Sequence, residues 1–187
     1  MEPVLSAESR RRLSDALGEA QRIGMLGQEP LDSVIDRSLG FVKGIPDGTG
    51  DVIDLGSGGG DPGLVIAMYR PDVSVTLVDR RAKRTDLLSR LVGRLGLADR
   101  VEVVEADAAL LPRRYPGRHW DVVTSRGFGS PAYTAAHASG LLRNGGVMLV
   151  SEPPDSNGDR WRIPEVESLG LFIEVVENGV ARLVKKS

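Results

Sequence analysis

The chain has 187 residues, with 24 basic and 26 acidic side chains, a formal charge of −2 and no cysteine. This composition excludes disulfides, thiolate metal sites and cysteine nucleophiles, and it carries no overall nucleic-acid signature, so any RNA contact has to come from a local patch. A hydrophobic fraction of 41% and 23 glycines fit one α/β domain over residues 1–187, with N-terminal helices in 1–46 and a core in 50–187.

The opening residues, MEPVLSAESRRR, hold no apolar stretch of the length that a signal peptide or membrane span requires, which predicts a cytoplasmic protein without membrane contact. Residues 6–26 read as an amphipathic helix capped by Ser6, with Leu13, Leu17, Ala20 and Gly24 on one stripe. Arg10, Arg11 and Arg12 lie off that stripe, either as a solvated face or as an edge for RNA phosphates. A second helix follows Pro30, carries Leu31, Val34, Ile35, Leu39 and Val42 at helical spacing, and stops at Gly44. Both helices are expected on one side of a sheet.

Val52, Ile53 and Leu55 end a short apolar run expected as a buried parallel strand. It leads into DLGSGGGDPG at 54–63, whose glycines permit positive φ and close approach of the backbone to a ligand. Pro62 suits the first turn of the helix that LVIAMY then forms. A second strand, Val73 to Val78, ends in Asp79, where doubly wound folds put an acid that binds a ribose diol. Capping the next helix is the alternative role for Asp79.

Gly58, Gly60 and Gly63 also satisfy the dinucleotide pattern G-x-G-x-x-G. Asp61, however, puts a carboxylate where a pyrophosphate needs bare N–H groups, and Asp54 adds another. S-adenosylmethionine has no phosphate and carries a sulfonium and an ammonium, so flanking acids favour it. The expected cofactor residues are therefore Asp54, Gly56, Ser57, Gly58, Gly60 and Asp61 in the turn, with Asp79 and Arg80 after the second strand.

Residues 81–97, RAKRTDLLSRLVGRLGL, form a crossover helix with Leu87, Leu88, Leu91, Val92 and Leu95 on one face. The third strand, Val101 to Val104, precedes Asp107 and Ala108, where a loop reaches an adenine; Asp107 either accepts its amine or is a solvated loop acid. The fourth strand, Trp120 to Thr124, runs into SRGFGSP, and Arg126 at its end is either a site residue or an ion-pair partner for a loop acid. The turn RNGG introduces a fifth strand, Val147 to Val150, and PPDSNGD at 153–159 reads as flexible. The tail LFIEVVENGVARLVKK holds two β-rich runs joined by Asn178 and Gly179, a strong hairpin signal. Five parallel strands followed by such a hairpin predict an α/β fold of the class I methyltransferase type. Its Rossmann-like sheet has seven mostly parallel strands, an antiparallel C-terminal hairpin and helices on both faces. His119 and His137 lack the partners of a metal site, and no metal is expected.

The segments DLGSGGGDPG, LVDRRAKRTDLL, WDVVTSRGFG and RNGGVMLV follow the order and spacing of one family. The chain resembles the bacterial 16S rRNA guanine-N7 methyltransferases, once called glucose-inhibited division protein B. The likeness spans 50–150, and the pairs Lys83–Arg84 and Ser125–Arg126 make it more specific than the glycines alone. It implies S-adenosylmethionine held at Gly56, Asp61, Asp107 with Ala108, and Arg126. It also implies an acceptor in rRNA of the ribosomal small subunit, with Arg126, Lys83 and Arg84 as basic candidates nearby.

Three departures concern the acceptor side and the methionine end. Asp61 stands where the family has an apolar residue, Val34 and Arg37 stand at its histidine and aspartate positions, and Ser151, Glu152 and Pro153 replace a basic residue after the fifth strand. A small-molecule acceptor, or a silent paralogue that binds the cofactor or RNA, is the alternative reading. Guanine N7 presents its lone pair without deprotonation, in keeping with the scarcity of candidate bases.

Overall fold

The structure is a computed structural model that describes residues 4–186; Met1–Pro3 and Ser187, counted in the expected domain, lie outside the described residues. Helix α1 (Ala7–Arg22) starts at Ser6, whose hydroxyl accepts the Ser9 N–H at 3.1 Å. Its buried stripe comprises Leu13, Ala16, Leu17 and Ala20. Arg10 donates to the Tyr69 hydroxyl at 3.1 Å and to Asp32 and Asp36 of α2 (Leu31–Gly44), and Arg12 donates to the Arg94 carbonyl at 2.9 Å. Two of the three clustered arginines thus join neighbouring helices.

Strand β1 (Asp51–Leu55) and helix α3 (Gly63–Tyr69) flank the glycine turn, and Pro62 precedes the helix instead of lying in its first turn. Strand β2 (Ser74–Asp79), helix α4 (Ala82–Leu95) and strand β3 (Val101–Glu105) follow. Helix α4 ends on Gly96 at φ 73°, a left-handed stop that suits glycine. A single 3-10 turn (Ala108–Leu110) leads into α5 (Leu111–Arg114) and β4 (Trp120–Ser125). Then come α6 (Pro131–Leu141), β5 (Leu142–Ser151), a 3-10 turn (Asp159–Trp161), α7 (Pro164–Glu167), β6 (Leu171–Glu177) and β7 (Val180–Lys185).

The sheet order is β3-β2-β1-β4-β5-β7-β6. The first five strands pair in parallel, and β7 runs antiparallel between β5 and β6. Asn178 (φ 52°) and Gly179 (φ 72°) both take the left-handed conformation of a tight hairpin turn. Alternation along the strands divides the core between two faces. Val52, Val75, Leu77, Val122 and Leu149 pack with α1 to α4, whereas Ile53, Leu55, Val123, Met148 and Val150 pack with α5 to α7.

Two local expectations are corrected. Strand β5 begins at Leu142, opposite Trp120, and the register shifts before Val122 meets Val147, so RNGG is an irregular stretch inside the strand. Gly145 at φ 74° allows that irregularity. Residues 153–159 are pinned, because the buried Glu152 carboxylate accepts from Trp161 Nε1 at 2.6 Å, Arg160 Nε at 2.5 Å and the Ser156 hydroxyl.

Helix α2 meets the hairpin at Gly40, where an added Cβ would lie 2.5 Å from the Asn178 carbonyl oxygen. Gly40→Val should therefore destabilise the chain by about 1–3 kcal/mol, as overpacking against backbone does. Urea unfolding should show a lower midpoint at unchanged slope.

Candidate functional site

The glycine turn sits at the end of the interior strand β1, where neighbouring segments leave little room for side chains. Gly56, Gly58 and Gly60 have φ of 73°, 52° and 101°. A Cβ on Gly56 would lie 2.9 Å from the Phe128 ring, one on Gly59 2.7 Å from the Met25 carbonyl oxygen, and one on Gly60 2.4 Å from Leu64. The N–H groups of Gly56 and Ser57 both donate to the Val78 carbonyl at 2.9 Å, and the Ser57 hydroxyl accepts from Val78 N–H at 3.1 Å. These bonds hold the turn to the end of β2.

Beside the turn is a cavity of about 460 Å³ lined by Gly56, Asp79, Arg80, Arg81 and Arg84 on one side, Asp107 and Ala108 on another, and Gly127 to Gly129 with Tyr133 on a third. Asp79 is 4% exposed and accepts from Gly58 N–H at 3.1 Å, Arg81 N–H at 3.0 Å and Arg84 Nη1 at 3.2 Å. Those bonds fix an anion at the cavity wall. Asp107 caps the following 3-10 turn by accepting Ala109 N–H at 2.9 Å, and it lines the cavity as well. Phe128, Tyr133 and His137 form an aromatic group at the β4 side, with ring centroids 4.3 to 5.7 Å apart.

At the other end of the turn four charged side chains interlock. The Asp61 side chain is fully buried and takes hydrogen bonds or ion pairs from the Ser38 hydroxyl, Arg37 Nη2 at 3.4 Å and Arg126 Nη1. Arg126 Nη2 also reaches Glu29 at 3.2 Å, and Glu29 pairs with Arg37. Burial works against the Arg126 charge and lowers its pKa, and neighbouring Arg37 adds to that effect. Hydrogen bonding from Arg37 in turn holds the Glu29 carboxyl below the usual range.

The structure brings Gly56, Asp79, Arg80, Asp107 and Ala108, with Arg84, around one cavity. Asp54 and Ser57 are each 1% exposed and lie beneath the turn, where they serve its architecture. Gly58 and Gly60 shape the turn, Lys83 is exposed on α4, and Asp61 and Arg126 bind each other. Of the two roles open to Arg126, the ion pair with a loop acid is the one present. Sequence reasoning missed Phe128 and Tyr133, for which the Gly-Phe-Gly after β4 was a usable signal. It also missed Glu29, which carried none.

After β5, a basic side chain arrives from the following 3-10 turn, already ion-paired with the buried Glu152. Arg160 Nη2 donates to the Ser151 carbonyl at 2.7 Å, so a guanidinium stands at the end of that strand. Among the described residues no group of three or more metal-binding side chains is present, and no helix is long and apolar enough to cross a membrane.

A parallel sheet closed by an inserted antiparallel β7, with a glycine turn after β1 and an acid at the end of β2, is the class I methyltransferase fold. The model of the family described as rRNA small subunit methyltransferase G matches residues 21–153, and the chain belongs to that family. A ribosomal RNA small subunit methyltransferase G from Mycobacterium avium is 34% identical over 176 residues, covering 90% of this chain and 71% of the relative. One from Mycobacterium sp. (strain KMS) is 39% identical over 130 residues, covering 68% of this chain. The chain spans 57% of the length of that relative. Among solved structures, a cofactor-bound protein from MTB superposes with a TM-score of 0.65 at 20% identity, over 95% of this chain and 91% of that one. An O-methyltransferase family protein from Burkholderia thailandensis gives 0.63 at 19% identity, over 95% and 59%. At such identities the likeness shows the fold.

Asp54 provides a pH test of the turn. It accepts from Thr124 Oγ1 at 2.7 Å, and burial pushes its pKa from 3.8 up to about 6. A raised folded-state pKa contributes stability that is complete below the unfolded value of 3.8 and is lost as pH rises through about 6. Between pH 3.5 and 7.5 the wild type should lose about 3 kcal/mol more than Asp54→Asn, at roughly 1.4 kcal/mol per pKa unit. Urea unfolding at a series of pH values measures the difference, and parallel profiles would contradict it.

Proposed function

We propose that the protein is an S-adenosylmethionine-dependent methyltransferase whose acceptor is guanine N7 in small-subunit rRNA. The observation that carries this reading is the cavity beside the glycine turn, with the anchored Asp79 on one wall and Asp107 with Ala108 on another. The residues fit the cofactor. Gly56 brings bare backbone to the cavity wall beside Phe128, Asp79 offers a carboxylate to a ribose diol, and Asp107 offers an acceptor to an adenine amine. Family membership supports the acceptor class.

When bound, S-adenosylmethionine supplies a methyl group made electrophilic by its sulfonium. The chain's own work is positional, because a guanine N7 lone pair needs no general base. Asp79 and Asp107 would hold the adenosine, and Gly127 to Gly129 after β4 line another wall of the cavity. Arg84, bound to Asp79, and Arg80 supply positive charge at the cavity wall.

Asp79→Ala should weaken S-adenosylmethionine binding by about 1–3 kcal/mol, the usual effect of losing a charged hydrogen-bond partner. Unchanged affinity by calorimetry would remove Asp79 from the site. Incubation with methyl-labelled S-adenosylmethionine and small ribosomal subunits, free rRNA or a metabolite extract tests the acceptor. Label recovered as 7-methylguanosine in rRNA is the expected result. Label in a small product, or binding without transfer, would overturn the RNA reading in favour of a metabolite enzyme or a silent binder.

A further inference from the structure

The cavity wall carries more positive charge than its own acids use. Arg80, Arg81 and Arg84 line it against two carboxylates, Asp79 and Asp107. Asp79 is already met by Arg84 Nη1 and by the N–H groups of Gly58 and Arg81, so it needs no further cation. Arg80 and Arg81 are exposed, and among the described residues their side chains make no hydrogen bond, ion pair or ring contact. Arg84 differs from them in being tied to Asp79.

Two free guanidinium groups on a cavity wall suit an anion. The donor does not supply one there. S-adenosylmethionine carries a net positive charge, and its ribose, the part that Asp79 would hold beside these arginines, is neutral. Like charge then makes Arg80 and Arg81 a mild hindrance to the donor taken alone. A phosphate has the complementary charge and the oxygen spacing that a guanidinium fork matches.

Another wall of the same cavity fits the rest of such a ligand. Tyr133 is 48% exposed, with the His137 and Phe128 rings beside it at centroid distances of 4.3 and 5.5 Å. Gly129 gives the ring its room, since a Cβ there would lie 2.6 Å from Tyr133 Cδ1. Exposed aromatic rings are stacking platforms for unpaired bases, and free cations near them track the backbone that carries those bases.

We propose that Arg80 and Arg81 bind backbone phosphates of the RNA strand that carries the acceptor nucleotide. The sequence alone puts Arg80 among the cofactor residues; the inference moves it to the acceptor and adds Arg81. It rests on the RNA methyltransferase reading above and names the side chains by which that reading's acceptor is held.

The test measures binding of free small-subunit rRNA to the full chain between about 50 and 200 mM salt, for wild type and Arg80→Gln/Arg81→Gln. The variant should lose about fivefold or more in affinity. Its slope of log affinity against log salt should shrink by at least about 0.7, the share of one phosphate contact in a single strand. The loss for rRNA should exceed any loss for S-adenosylhomocysteine, read by calorimetry, by about threefold or more. Arg113→Gln/Arg114→Gln removes the same charge from exposed positions of α5 outside the cavity and should cost less. A smaller loss or an unchanged slope in the cavity variant, an equal loss in the α5 variant, or a loss that falls on S-adenosylhomocysteine instead overturns the inference and leaves the methyltransferase reading standing. Guanosine 5′-monophosphate is the small-ligand arm; weakening of its binding with rRNA affinity kept would assign the arginines to a phosphorylated small acceptor and overturn the inference as well. No binding of rRNA by the wild type removes the RNA reading, and the inference with it.

Discussion

The close approach of three chain segments to the backbone at residues 56–60 is the constraint on which the site depends. The Phe128 ring, the Met25 carbonyl and Leu64 each stand where a side chain on the turn would be. Glycine is thus required here for clearance as well as for φ, and the clearance connects distant parts of the chain. Met25 follows α1, Phe128 follows β4, and Leu64 opens α3, so the turn is the point at which N-terminal helices, sheet and ligand cavity are registered against one another. The hydrogen bond from Gly58 N–H to Asp79 ties the same turn to the acid that stands at the cavity wall.

Much of the fold was legible because it rests on local periodicity. Leu13, Leu17 and Ala20 announced α1, short apolar runs announced the parallel strands, and Asn178–Gly179 announced the hairpin that sets this architecture apart from a plain dinucleotide fold. Boundaries were less legible where tertiary pairing overrides local signals. RNGG reads as a turn, but Leu142 finds Trp120 across the sheet and the strand starts early. The proline- and glycine-containing segment after β5 reads as loose until Trp161 and Arg160 are seen to converge on Glu152.

The site divided along the same line. Gly56, Asp79, Asp107 and Ala108 follow strand ends, and strand ends in a parallel sheet are predictable from sequence. The ionic cluster is not, because Glu29, Arg37, Asp61 and Arg126 come from four separate segments, and one contact bridges 97 positions. Sequence reading treated Asp61 as a bare carboxylate that repels phosphate. In the structure its charge is already met by two guanidinium groups, so that electrostatic argument weakens, and the fold and the family match now support the methyltransferase assignment.

The place of β7 has a consequence for how the chain assembles. β6 precedes β7 in sequence yet lies outside it in the sheet, and its strand pairing is with β7. Until residues 180–185 arrive, β5 therefore keeps an open edge, and β6 waits without a place to dock. An unpaired parallel-sheet edge is a template for pairing with other chains. Strand β7 is thus the one that seals the sheet, and until it docks the β5 edge is open to intermolecular pairing.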